Sequence, residues 1–155
     1  MTVRSGLIAA GLAVFAAAVL LTAGRPAEGA AVAHTCSATD RQFIRVVETN
    51  MIALGVWGES YRDGSATAKQ LVGEAEKAAD RVAHLSPRDP SLARTKVLVT
   101  GLFNEYSRGM RAKAKNRDAG EHLYRAYGLA SFARDVLVAA APELERRGCD
   151  VSALL

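Results

Sequence analysis

Proline is scarce here, four residues in 155, and aromatics make up only 6% of the chain. A chain with so few prolines is not punctuated often enough for a many-turned β sandwich. β-branched runs are few as well, while alanine, which loses no side-chain entropy in a helix, is abundant. With 50% hydrophobic residues the composition is that of a globular chain, which excludes disorder as the default. Only two cysteines are present, Cys36 and Cys149, too few for a disulfide-dense scaffold or a thiolate zinc site. No G-x-S-x-G, H-E-x-x-H, C-x-x-C, phosphate-loop or dinucleotide pattern occurs after the N-terminal segment. The Glu-x-x-His pairs of a di-iron bundle are missing too.

What is present begins with a leader. Arg4 precedes an uncharged apolar stretch from Gly6 to Gly24, and Ala31-Val32-Ala33 follows as an A-x-A cleavage signal. Residues 1–33 read as a secretory signal peptide that is removed, and residues 34–155 as one helical-bundle domain, secreted or associated with the cell envelope. The alternative is an uncleaved helix that anchors the protein in the membrane. Loss of Arg4, Arg25 and Glu28 leaves 18 basic and 15 acidic residues, a net +3. This mild excess suits an anionic envelope and falls short of a nucleic-acid-binding domain; the alanine and arginine bias suggests a bacterial source.

Two cysteines in an exported chain are most simply one disulfide, and Cys36–Cys149 would close nearly the whole mature domain. Lipidation of Cys36 is the rival, but His34-Thr35 lacks the pattern of a lipobox. Apolar spacing of three and four predicts four helices. The first begins at Thr39 or Asp40 and runs to Arg62 through Phe43, Val46, Val47, Met51, Leu54, Trp57 and Tyr61. The second covers Ser65 to Leu85, and the third Pro90 to Lys115. The fourth runs from an Asp118 cap to Ala141, and Pro142 either opens a short last turn or kinks a continuous helix. Short turns imply an all-α, up-down-up-down four-helix bundle whose first and last residues meet, as the disulfide requires. The fourth helix is apolar on two flanks and would be central or offer a surface for homo-oligomer formation.

In such a bundle the end opposite the disulfide gathers Trp57, Tyr61, Phe103, Tyr106, Tyr124 and Tyr127, with Met110 and His122 beside them. Trp57, Tyr61, Phe103, Tyr106, Met110, His122 and Tyr127 are the candidate ligand-binding residues, with Gly55, Gly58, Gly101 and Gly128 making room for the rings. No cofactor is expected, haem being the alternative because His122 and Met110 are possible axial ligands. Arg108, Arg111, Lys113, Lys115 and Arg117 form an uninterrupted cationic run, the candidate anion-binding site. Glu48 and Glu105 read as solvated, and Asn50 as a buried amide that sets helix register. The expected function is a non-enzymatic exported bundle that binds an envelope component or a small amphipathic ligand through this end. The alternatives are a small enzyme using Arg108, Arg111 and Glu105 in a charged cleft, or a structural, oligomerising module.

Overall fold

The computed structural model describes residues 35–155, so the expected signal peptide of residues 1–33 and its expected cleavage position lie outside the described residues. Those residues form four α-helices, α1 (Ala38–Arg62), α2 (Ala68–Ala83), α3 (Pro90–Ala114) and α4 (Gly120–Arg146), followed by a short 3-10 turn, Ser152–Leu154. No strand occurs among them.

Local chemistry explains where each helix begins. Ser37, rather than Thr39 or Asp40, caps α1: its Oγ accepts from the Asp40 N–H at 3.1 Å, and Asp40 Oδ2 accepts in return from the Ser37 N–H, also at 3.1 Å. Thr67 and Gln70 form the same reciprocal box at the start of α2, later than the expected Ser65. Asp89 caps α3 with Pro90 at the first helical position, where the missing N–H removes no bond. Asp118 bonds only the Gly120 N–H, at 2.9 Å, so α4 starts without a side-chain cap from it. Pro142 lies inside a continuous α4. Gly148 ends that helix at φ 82°, a left-handed conformation that glycine adopts without a Cβ clash. The chain thereby reverses so that Cys149 meets Cys36, with Cα atoms 5.2 Å apart in the Cys36–Cys149 disulfide.

One core runs through the helices and holds Phe43 and Val47 of α1, Val82 of α2, Leu92 and Phe103 of α3, and Leu137 of α4. Each such side chain contributes about 1.5–3 kcal/mol by leaving water. A smaller core forms at the other end from Ala66, Ala68, Leu71 and Met110. Polar pairings tie the neighbours: Arg81 of α2 to Asn50 of α1 (3.2 Å), Lys96 of α3 to the Leu85 carbonyl (2.5 Å), and His122 of α4 to Glu105 of α3 (2.8 Å). Asn50 is buried as expected, and its amide also donates to the Val46 carbonyl at 2.6 Å. Helix α1 packs chiefly on α2. None of its Cα atoms comes within 8 Å of α4, and the Ser152–Leu154 turn touches both α1 and α4.

A polar knot surrounds the disulfide. Asp40, almost fully buried, accepts from the backbone N–H groups of Arg88 (2.7 Å) and Asp89 (3.0 Å). Asp89 in turn pairs with Arg147, whose carbonyl accepts from the Cys36 N–H at 2.8 Å. The start of α1, the α2–α3 connection and the end of α4 are thus held by one connected set of bonds.

Candidate functional site

The aromatic and cationic residues lie on the second half of α1, the start of α2, the end of α3 and the start of α4. Trp57, Val72 and Tyr106 pack onto the small core of Ala66, Ala68, Leu71 and Met110. Burial raises the pKa of the Tyr106 phenol, and the Tyr61 oxygen beside it adds to the effect. Phe103 belongs to the main core and is fully buried. Tyr61 is partly exposed, and Tyr124 and Tyr127 stand out in solvent at 78% and 73% exposure. The expected ligand-binding set therefore divides. Trp57, Phe103, Tyr106 and Met110 serve packing, whereas Tyr61 and Tyr127 are accessible. Of the two residues that the haem alternative would use, Met110 is buried and only His122 retains appreciable exposure.

The glycines behave differently from the expectation. A Cβ at Gly55, Gly58 or Gly128 would meet nothing within 4 Å, and at Gly101 it would meet Leu129 at 3.3 Å, so no ring packs against them. The close approach is at Gly109, where a Cβ would lie 2.8 Å from Leu123 Cδ2.

Charge is arranged in two layers. In the inner one, Glu105 is buried rather than solvated, which corrects the reading from sequence: its Oε2 receives His122 Nδ1 at 2.8 Å and its Oε1 receives Arg108 at 2.5 Å. The hydrogen bond from His122 lowers the Glu105 pKa, with Arg108 assisting and burial opposing. Beside it, Glu76 of α2 accepts from Ser107 at 3.1 Å and pairs with Arg111. A carboxylate with both oxygens engaged and its pKa lowered is a poor general base near neutrality, so this layer braces helices.

The outer layer is Lys113, Lys115 and Arg117 at the end of α3 and in the turn after it. All three are exposed, and none has a carboxylate within 4.0 Å among the described residues. Tyr124 and Tyr127 follow within the first two turns of α4. The five-residue cationic run thus separates into two members bound by carboxylates, Arg108 and Arg111, and three free ones. Glu76 and Ser107 were not singled out from sequence. Their signal is weak, a charged residue on a polar helix face and a serine within a helix, because only the α2–α3 contact brings them together.

No protein-family model matches the chain, and neither any curated protein nor any solved structure matches it. The reading of the site therefore rests on its own chemistry.

Proposed function

We propose that this protein is an exported, non-enzymatic helical bundle that docks on an anionic surface of the cell envelope through the α3–α4 end. The observation that carries the reading is the trio Lys113, Lys115 and Arg117, exposed and free of acidic partners, beside the exposed rings of Tyr124 and Tyr127. Unpaired cations attract phosphate- or carboxylate-bearing polymers and lipid headgroups, at about 1 kcal/mol per residue near an anionic membrane. Tyrosine rings add amphipathic contacts at the same boundary.

The four helices run up, down, up, down in this proposal, supported by three pairings: Asp40 at the start of α1 with the Arg88 and Asp89 N–H groups after α2, the Leu85 carbonyl after α2 with Lys96 in the first half of α3, and Glu105 in the second half of α3 with His122 in the first turn of α4. That course places the disulfide at one end and the cationic trio at the other, leaving the trio free to face a surface. The disulfide supports export, because such bonds persist in oxidising compartments. Self-association through α4 is a second reading, supported by the exposed Phe132 and Val138; sedimentation equilibrium of Phe132→Lys beside the parent would test it.

Sedimentation with vesicles of anionic phospholipid, and with isolated cell wall, tests the main proposal. The triple variant Lys113→Glu, Lys115→Glu, Arg117→Glu should lose binding by about two orders of magnitude or more, and added salt should weaken the parent's binding. Retention equal to that of the parent, or insensitive to salt, would refute it.

A further inference from the structure

The seam between α1 and α4 is a separate feature, away from the cationic trio. Because the Cα atoms of these helices do not approach within 8 Å, residues 151–154 fill the gap: Val151 is fully buried, and Leu154 packs half-buried against the main core. Beneath this strap lies a cavity of about 130 Å³ lined by Val47, Met51, Leu102, Ala130 and Leu137, with Ala153 and Leu154 at its edge. Its walls are almost wholly apolar. A cavity of about 150 Å³ with such walls accepts a benzene-sized group, so this one has room for a short stretch of hydrocarbon. On the other flank of Ala153 an open groove of about 300 Å³ runs past Ile44 and Arg45, so the strap is seated between two spaces.

One charged side chain stands at the cavity, Arg134. It pairs with no Asp or Glu side chain among the described residues; its Nε donates to the main-chain oxygen of Leu155 at 2.8 Å. The strap therefore presents an apolar side chain, Leu154, to an apolar cleft and an oxygen acceptor to a guanidinium. An alkyl chain ending in a carboxylate has the same two features in the same order, so it can take the place of both on the cleft and on Arg134.

We infer that the α1–α4 seam is a binding site for an amphipathic monocarboxylate, of the fatty-acid class, held shut by residues 152–155 as a displaceable strap. The alkyl chain enters the cavity between Met51, Ala130 and Leu137, and the carboxylate takes the place of the Leu155 oxygen on Arg134. Cys149, fixed by the disulfide, and buried Val151 remain as the anchor from which the strap lifts. Ser152, Ala153 and Leu155 are exposed, so lifting uncovers little beyond Leu154.

Calorimetric titration of the oxidised protein, as recovered from its host, with sodium decanoate and with 1-decanol tests this. Decanoate should bind, and both Leu154→Ser and deletion of residues 152–155 should tighten it about fivefold, since the strap no longer competes. Arg134→Gln should weaken decanoate about tenfold or more, to the level of decanol, without weakening decanol. Methyl resonances of Val47, Met51 and Leu137 should shift on binding while those of Leu71, in the small core, stay in place. Absence of decanoate binding by the deleted chain, affinities unaffected by the strap variants or by Arg134→Gln, or shifts centred on Leu71 would each overturn the inference.

Discussion

Asp40 is a short side chain on which three segments converge, and its removal should be felt out of proportion to its size. Replacing it with alanine strands the buried Asp89 N–H and the partly buried Arg88 N–H, which it now satisfies at 3.0 and 2.7 Å. A buried donor left unpaired costs about 1–3 kcal/mol. Loss of the bonds to Ser37 removes half of a capping box, about 1 kcal/mol more. We expect Asp40→Ala to lose about 3 kcal/mol, read as a fall of roughly 1.5–2 M in the urea midpoint at unchanged slope. Asp40→Asn should lose about 1 kcal/mol, because Oδ1 can still accept from Arg88 and Asp89 while its amide faces the Ser37 donors.

The pH dependence follows from the same bonds. Burial pushes the Asp40 carboxyl up, but the bonds from Ser37, Asp89 and Arg88 together outweigh it and hold the pKa below the ordinary 3.8. The carboxylate's stabilisation is therefore complete above the unfolded value and is lost as pH falls through the lower folded one. Unfolding free energy measured from about pH 5 to pH 2 should fall less steeply in Asp40→Asn than in the parent. A loss below about 1 kcal/mol in Asp40→Ala, or an unaltered acid limb in Asp40→Asn, would refute this account.

Replacing Cys36 and Cys149 by serine should cost about 4–5 kcal/mol in the chain-entropy model, since the bridge spans 113 residues, and thermal denaturation should show a drop of roughly 15 °C. A drop of only a few degrees would mean that the polar knot alone holds the ends together. Two glycine substitutions separate space from backbone preference. Gly109→Ala should destabilise by about 1–3 kcal/mol because its Cβ meets Leu123, whereas Gly128→Ala, in open space on α4, should stabilise by about 0.5–1 kcal/mol in equilibrium unfolding.

The helices were legible because a helix is written locally. Spacing of three and four marked Leu71, Ala75, Ala79 and Val82 as one buried face, and Ser86-Pro87 and Asn116-Arg117 marked breaks. The disulfide was legible because only one pairing was available. Placement of a polar group was not. Glu105 and Glu48 look alike in sequence, yet Glu105 is buried, since His122, seventeen residues later, and Arg108 supply the donors that make its burial tolerable. Lys113 and Arg111 likewise look alike, and only the approach of Glu76 from α2 separates the bound cation from the free one. Tyr127 reads from sequence as one of the gathered aromatics, and only the packing of α4, which turns Ala126, Ala133, Leu137 and Leu144 inward, leaves its ring in solvent. The sequence by itself determined the helices, their breaks and the single cross-link, because these depend on neighbours within a few residues and on a count of two. The tertiary structure alone decided which charges are neutralised, which rings are accessible and how the C-terminal residues fill the α1–α4 seam, because each depends on groups brought together from distant parts of the chain.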